Sequence, residues 1–388
     1  TAAGRVMKFV PASGAATRMF KDLIAALSSS DALKTSPAAQ KFFAEFDRFP
    51  FADELRRRAG IAHTPHDEEQ QRHVLRTLLD DMRYAELPKA LIAFHRIEET
   101  VRTAFEEHLL EGAHYTGDES GRARTHFTVA PEFRDDFEAL LGRVRSSLEH
   151  TVGARLDVAF SEQHPSTDTL AITPEGEPFR SADGRLLLRP AGHGALLRNL
   201  QALDGDIVVI KNIDNVQPLE ASGEVIGWKQ LLIGYLITLL DDAPPDRPVR
   251  VCGVVRNEGE PGGAPFWVRG SDGSVTAQIV ESSQVDLNDP DQRRIFESST
   301  HFNPVDLVCA LRRRDGARFD LSAFVDPSAV FLAKKSHDGR DLIALERPGL
   351  WNGAMAHWHT VFVEVPASTF APVKTVFDLL RPQHQWRG

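Results

Sequence analysis

"KFVPASGAATRMFK", residues 8–21, is the stretch on which the reading of the fold turns. An extended apolar run passes into small residues, then Arg18, and closes on a helix-like segment. Small residues after a strand let the backbone approach a ligand, and the following helix N-terminus offers N–H groups to an anion. Arg18 would add a fixed charge with a fork of donors. Gly14, however, is the only glycine where phosphate loops usually carry several. The stretch is therefore either a phosphate cradle or a close-packed strand-to-helix turn with a solvated arginine.

Working outward, residues 6–10 (VMKFV) predict a buried strand and Thr17 to about Leu27 the helix after it. From Ser36 to about Leu110, apolar residues recur at helical spacing between many charges, in "AAQKFFAEFDRF", "EEQQRHVLRTLLDDM" and "IEETVRTAFEEHLLEG". This section reads as helical throughout. "THFTVA" (125–130) and "RLDVAF" (155–160) read as strands around a helix that opens on Pro131. "DIVVIKNI" (206–213), "VRVCGVV" (249–255), "VTAQIV" (275–280) and "TVFVEV" (360–365) complete the strand set. "HGALLRNLQAL" (193–203) and "WKQLLIGYLITLL" (228–240) read as helices between them. Strands alternating with helices predict an α/β fold with a mainly parallel sheet flanked by helices.

The 388 residues suffice for one large α/β domain or two smaller ones. Apolar content of 42% and charged content of 26% are ordinary for a globular protein. A net charge of −10 argues against a nucleic-acid-binding surface, a local basic cleft being the alternative. Cys252 and Cys309 both lie in apolar runs and read as buried free thiols. No run approaches the ~20 apolar residues of a membrane span, and no leader pattern opens the chain. A cytoplasmic protein without membrane or nucleic-acid partners is expected, and its oligomeric state is not written in the sequence.

Further stretches carry candidate chemistry. In "ELPKALIAFHR" (86–96), Lys89 follows a proline and is either held on a bend or is an ordinary surface lysine. In "LRPAGHGALLRNL" (188–200), Gly192 and Gly194 flank His193, allowing close approach to a ligand or merely a sharp turn. "DIVVIKNIDNV" (206–216) ends a strand in Lys211, Asn212, Asp214 and Asn215. Ligands of open α/β sheets bind beyond the carboxyl ends of strands, and an Asp placed there suits Mg²⁺. An Asn-rich turn is the alternative. Lys374 in "VPASTFAPVKTVFDLL" (365–380) would alone be an exposed lysine before a helix. His357 and His359 of "HWH" lack a third ligand, so a non-metal role is expected. The basic run "LRRRDGAR" (311–318) reads as a solvated face.

Together these stretches resemble the nucleotidyltransferases that activate sugar 1-phosphates. Their signature is a small-residue loop ending in Gly-Thr-Arg-Met, followed by a Pro-Lys pair. "PASGAATRM" (11–19) is similar to the first half and "PKALIAFH" (88–95) to the second, with a helical insertion between. The remainder resembles the UDP-glucose and UDP-N-acetylhexosamine pyrophosphorylases. "FSEQHP" (160–165), "RPAGHGAL" (189–196), "KNIDN" (211–215) and "QIVESSQV" (278–285) follow their motifs in order. So do "LERPGLWNGAMAHW" (345–358) and "VEVPASTFAPVKTVFDLL" (363–380). The whole chain also resembles a bacterial domain-of-unknown-function family. Ala15-Ala16 replace the second glycine of the usual loop, and Ala367 replaces an arginine. No C-terminal β-helix domain is expected after the Lys374 helix.

The resemblance implies a GT-A-like, Rossmann-type catalytic core. Residues 1–25 would form its first strand and nucleotide loop, 26–87 the helical insertion and 88–388 the remainder. It implies condensation of a nucleoside triphosphate, by its lean UTP, with a sugar 1-phosphate, releasing pyrophosphate. Ala12, Ser13, Gly14, Ala15 and Ala16 would hold the nucleotide and its phosphates. Arg18 and Lys89 would sit on the triphosphate, Lys374 on the sugar phosphate or α-phosphate, and Asp214 on Mg²⁺. Gln163, Gly192 and His193 would line base and ribose, and Asn215, Glu281 and Asn303 would meet sugar hydroxyls. Two other readings stand beside it: a GT-A glycosyltransferase with a nucleotide-sugar donor, and a non-catalytic nucleotide-sugar-binding protein.

Overall fold

A computed structural model describes residues 5–259, 262–270 and 272–386. In chain order, β1 (Val6–Pro11) is followed by α1 (Lys21–Ala26), α2 (Ser30–Thr35), α3 (Pro37–Ala44), α4 (Ala52–Ala59) and α5 (Glu68–Arg76). A hairpin of β2 (Ala93–Ile97) and β3 (Thr100–Thr103) leads into α6 (Ala104–Thr116), β4 (Arg122–Val129), α7 (Arg134–Val152) and β5 (Arg155–Glu162). Then come β6 (Thr169–Ile172), β7 (Leu188–Arg189), α8 (Leu197–Ala202), β8 (Ile207–Lys211), α9 (Gly223–Leu239) and β9 (Val249–Arg256). The chain continues through β10 (Ala264–Arg269), β11 (Val275–Val280), α10 (Pro290–Glu297) and β12 (His301–Ala310). It ends with β13 (Phe331–His337), β14 (Arg340–Glu346) and β15 (His359–Glu364).

The central seven-stranded sheet has the order β15-β9-β12-β8-β1-β4-β5. Its neighbours are parallel except where β12 runs antiparallel to β8 and β9. This is the expected mainly parallel α/β sheet flanked by helices. β1 lies between β8 and β4, its register fixed by pairs such as Phe9 with Ile210 and Val10 with Phe127. A strand covered on both faces reads as a near-continuous apolar run, which is why VMKFV and IVVI were legible. Because β1 and β8 are adjacent and parallel, the loops leaving Pro11 and Lys211 emerge side by side at one edge of the sheet.

The helices between β1 and Lys89 pack into the sheet's own core. Phe42, Phe46, Phe49, Phe51, Leu55 and Leu78 form one buried cluster with Val10, Ala16, Phe105, Phe127 and Val373. Phe42 stacks on Phe49 at 4.9 Å between ring centroids. Start signals are local: Ser36 caps α3 ahead of Pro37, and Asp67 caps α5.

The structure departs from the expected elements at several points. Residues 93–103, within the section read as helical, form the β2–β3 hairpin. Glu98 turns it at φ +51°, and helix starts only at Ala104, where Thr103 and Glu106 form a capping box. The helix expected over Thr17–Leu27 is split into a 3₁₀ turn, Ala16–Arg18, and the short α1. The helix expected after Lys374 is a 3₁₀ segment, Val376–Leu380. "VTAQIV" pairs only with β10, outside the main sheet. β12 was not anticipated, because Pro304 interrupts it and a bulge with Val305 at φ +59° shifts its register. A four-stranded sheet, β13-β14-β6-β7, was missed as well. Cys252 and Cys309 are buried free thiols, as read. Among the described residues no helix is long and apolar enough to cross a membrane.

Candidate active site

Two backbone pairings assemble the site from distant segments. The loop after β1 pairs with the Pro88 segment: Ala16 N–H donates to Leu87 O at 2.8 Å and Lys89 N–H to Gly14 O at 3.1 Å. The Thr17 hydroxyl adds a bond to Ala85 O at 2.8 Å. The loop after β8 pairs with the chain near its end, where Val373 N–H donates to Asp214 O at 2.9 Å and Asn215 bridges Pro372. Lys89 and Lys374 are thereby delivered to one carboxylate. Asp214 Oδ2 accepts from Lys89 Nζ at 3.1 Å and from Lys374 Nζ at 2.9 Å. Lys89 Nζ also donates to Val373 O at 2.9 Å.

The environments of these groups differ. The side chains of Lys89 and Asp214 are 13% and 11% exposed, and that of Lys374 is 54% exposed. Burial pushes the Asp214 carboxyl up, yet the Lys374 and Lys89 ammonium groups more than offset it and hold it below the usual carboxylate value. Burial pulls Lys89 below the usual lysine value, against the attraction of Asp214 and with Lys374 adding repulsion. Asp214 therefore stays ionised, shared by two cations.

A cavity of about 490 Å³ opens over this group, lined by Gly14, Ala15, Thr17, Arg18, Lys89, Asn212, Ile213 and Asp214. Ala12 and Ala16 are buried, and their N–H groups are committed to Thr128 O and Leu87 O. The amides of Ser13, Gly14 and Ala15 donate to nothing among the described residues. Of the five loop residues in "ASGAA", only these three are open to a ligand. Arg18 is exposed, with no acidic partner among the described residues.

A second cavity of about 430 Å³ adjoins the first, sharing Gly14 and Ile213. Ser13, Gln163, Gly192 and His193 line it, together with Arg189, Lys335 and Glu346. Gly192 adopts φ +71°, a conformation suited to glycine. His193 stacks on Trp351 at 4.0 Å, and its Nδ1 accepts from Leu350 N–H at 2.9 Å, which leaves the proton on Nε2. Burial lowers its pKa to about 4, so it is neutral near pH 7. A larger cavity, about 560 Å³, borders Gly194, Arg198 and Arg347 and contains none of the candidate residues.

The three candidates for sugar hydroxyls lie outside the lining of both cavities. Asn215 Oδ1 accepts from Ala371 N–H at 3.0 Å, which helps hold the pairing that carries Lys374. Asn303 uses both ends of its amide, donating to Gly253 O at 2.7 Å and accepting from Val305 N–H at 2.9 Å, and so braces the β12 bulge. Glu281 accepts from Trp351 Nε1 at 3.3 Å, linking it through the indole to His193.

Sequence reasoning also missed a buried charge cluster beneath the loops. Glu111 accepts from Lys8 at 3.0 Å and from Tyr115 at 2.8 Å, and Lys211 bonds its other oxygen. Lys8 also donates to His108 O, and His108 Nε2 donates to Ile213 O at 3.1 Å. Burial lowers Lys8 to about 8, while Glu111 is held well below its usual value by Lys211 and Lys8 despite burial. The cluster ties β1, α6 and β8 together directly behind Asp214. Lysines embedded in the apolar runs VMKFV and IVVIK were the available signal.

Asp214 Oδ1 makes no hydrogen bond among the described residues. One open carboxylate oxygen beside free amides fits a hard cation that takes its other ligands from phosphates and water. Among the described residues there is no cluster of three or more His, Cys, Asp or Glu that would hold a metal unaided.

The fold is similar to those of solved UDP-glucose pyrophosphorylase structures. A UDP-glucose pyrophosphorylase mutant from Leishmania major is similar over 97% of this chain and 65% of its own, at 15% identity and a TM-score of 0.53. Another mutant of the Leishmania major enzyme covers 76% of this chain and 60% of its own, at 17% identity and a TM-score of 0.50. A protein from Entamoeba histolytica described as a UDP-N-acetylglucosamine pyrophosphorylase covers 95% of this chain and 76% of its own, at 12% identity and a TM-score of 0.49. The chain thus spans 65% of the length of the first Leishmania structure. Residues 1–245 and 243–385 match the family "Domain of unknown function (DUF4301)", and the chain belongs to that family. No curated protein matches the sequence.

Proposed function

We propose that the protein is a nucleotidyltransferase that condenses a nucleoside triphosphate with a sugar 1-phosphate, giving a nucleotide sugar and pyrophosphate. The observation that carries this reading is the Asp214 carboxylate shared by Lys89 and Lys374 beside three open loop amides. UTP is the nucleotide the pyrophosphorylase resemblance implies. A phosphate oxygen of the sugar phosphate attacks the α-phosphorus in line, forming the new O–P bond as the bond to the β-phosphate oxygen breaks. No protein nucleophile is required, so positioning and charge neutralisation supply the catalysis.

The amides of Ser13, Gly14 and Ala15 hold phosphate oxygens, and Arg18 and Lys89 neutralise the triphosphate. Lys374, the more exposed cation, contacts the α-phosphate or the sugar phosphate. Gln163, Gly192 and His193 line base and ribose in the second cavity. Asp214 orients both lysines and would hold Mg²⁺ through its open oxygen, the ion supplying charge neutralisation on the phosphates. The glycosyltransferase reading has no need of two lysines on one carboxylate, which disfavours it. The test is a panel of nucleoside triphosphates against sugar 1-phosphates with Mg²⁺, read as pyrophosphate release. Release that requires both substrates supports the proposal, and none with any pair refutes it.

A further inference from the structure

The base-lining cavity contains charged groups to which the sequence assigned no role, among them Lys335 and the Glu346 of "LERPGLWNGAMAHW". Glu346 ends β14 and Lys335 lies on β13, both in the small sheet that stands beside Gly192. Their charged atoms, Lys335 Nζ and Glu346 Oε1, are 3.7 Å apart. The Glu346 side chain lies flat against Gly192: a Cβ there would come within 2.7 Å of Glu346 Oε2. Neither carboxylate oxygen accepts a hydrogen bond among the described residues. Gln163, on the same cavity, donates its amide N–H to Asp168 Oδ1 at 3.2 Å. That contact sets the amide orientation, using one of its two N–H donors and leaving Gln163 Oε1 free to accept. The cavity wall therefore presents acceptor oxygens from Glu346 and Gln163, with the Lys335 ammonium 3.7 Å from Glu346 and the Arg189 guanidinium elsewhere on the same lining.

The nucleobases meet such a wall differently. Uracil has a single N3–H between two carbonyl oxygens, so a carboxylate reaching that N–H sets its second oxygen against a carbonyl. Adenine and cytosine place one amino group beside a ring-nitrogen acceptor. Guanine presents N1–H and the 2-amino group side by side, matching both oxygens of a carboxylate, with O6 adjacent for an ammonium. Lysine and arginine commonly read guanine O6, and a site built to hydrogen-bond particular N–H groups rejects a ligand lacking them.

We infer that Glu346 and Lys335 select guanine, so that the nucleotide is GTP rather than the UTP implied by resemblance. This rests on the reading in which Gln163, Gly192 and His193 line the base. Glu346 accepts from N1–H and the 2-amino group, Lys335 donates to O6, and Gln163 Oε1 takes the remaining amino hydrogen.

The experiment measures affinity for GTP, ITP, UTP, CTP and ATP with Mg²⁺ by calorimetry, alongside pyrophosphate release. GTP is expected to bind at least about tenfold more tightly than UTP. ITP, which lacks the 2-amino group, is expected between them. E346Q is expected to bring GTP and UTP to within about threefold, and K335M to weaken GTP more than UTP, both with melting temperatures near that of the parent. UTP bound as tightly as GTP, or a GTP preference untouched in both variants, overturns the assignment and leaves the transferase reading standing. Failure to bind any of the five nucleotides overturns both.

Discussion

Replacing Lys374 by alanine should separate the chemistry of the site from its contribution to the fold. Lys374 loses one hydrogen bond, at 2.9 Å to Asp214, and its side chain is 54% exposed. Water screens a pair of that kind, and its removal costs under about 1 kcal/mol. Lys89 is different, being 13% exposed and bonded both to Asp214 and to Val373 O. Its loss leaves a buried carbonyl unpaired and Asp214 with a single, exposed cation, a cost of about 2–4 kcal/mol. For a chain of 388 residues, unfolding entropy converts each kcal/mol to roughly 1 °C of melting temperature.

K374A should therefore melt within about 1 °C of the parent, and K89A about 2–5 °C lower. Both should lose about a hundredfold or more in kcat, because each removes a charge aimed at the transferring phosphate. Parallel thermal melts and pyrophosphate-release assays decide the matter. The reasoning fails if K374A turns over at near-parental rate. It also fails if K374A melts as low as K89A, since its lost activity would then report a damaged fold.

Three further outcomes follow from the geometry. G14A should fold normally, because a Cβ at Gly14 meets nothing within 4 Å and Gly14 has no positive φ, while the added methyl, facing both cavities, should raise the nucleotide Kd at least about threefold; an unchanged Kd in a titration would place the nucleotide elsewhere. R18A should leave the melting temperature unchanged and weaken triphosphate binding about tenfold, with a flatter salt dependence in the same titration. Burial lowers His126 and His193 to about 4 each, so the unfolded chain gains protons from about pH 6.5 downward while the folded protein does not. Each then contributes stability that is present above about pH 6.5 and falls by about 2 kcal/mol by pH 5; urea titrations should show a shallower acid slope in H126Q than in the parent.

What could be read directly was the material of the parallel core. Val6–Pro11 and Ile207–Lys211 are apolar apart from Lys8 and Lys211 because helices cover both faces of the sheet. The polar residues that end such strands mark the cleft. That rule makes Asp214 a candidate, with an Asn-rich turn as the alternative, while the 12–16 loop stays open between a phosphate cradle and a tight turn until the resemblance is added. Their partners were not legible, since Lys89 and Lys374 arrive through backbone bonds to Gly14 and Asp214 that carry no side-chain signature. They were reached by resemblance. The strands that escaped share a physical cause. β13, "FLAKKSH", and β14, "RDLIALE", are half-exposed and mix charge with apolar residues, and β12 hides a bulge behind Pro304. Missing the small sheet meant missing Lys335 and the placing of Glu346 on the second cavity.

The glycine-poor loop acquires a physical explanation. A Gly-x-Gly loop gains its shape from residues free to adopt positive φ, whereas here Gly14 does not use that freedom. The shape is instead imposed from outside. Ala12 N–H is tied to Thr128 O on the neighbouring strand β4, Ala16 N–H to Leu87 O, and Gly14 O receives Lys89 N–H. The methyl groups of Ala12 and Ala16 are buried in the core formed with Phe42, Phe105 and Phe127, so alanine fills space that glycine would leave open. The three residues between these anchors keep their amides free. The helices of residues 21–87 pack against that same core, so the segment that separates the two halves of the signature also helps hold them together. Loop geometry and the placement of Lys89 are then one structural event, and a substitution that loosens the Leu87–Ala16 contact should disturb both.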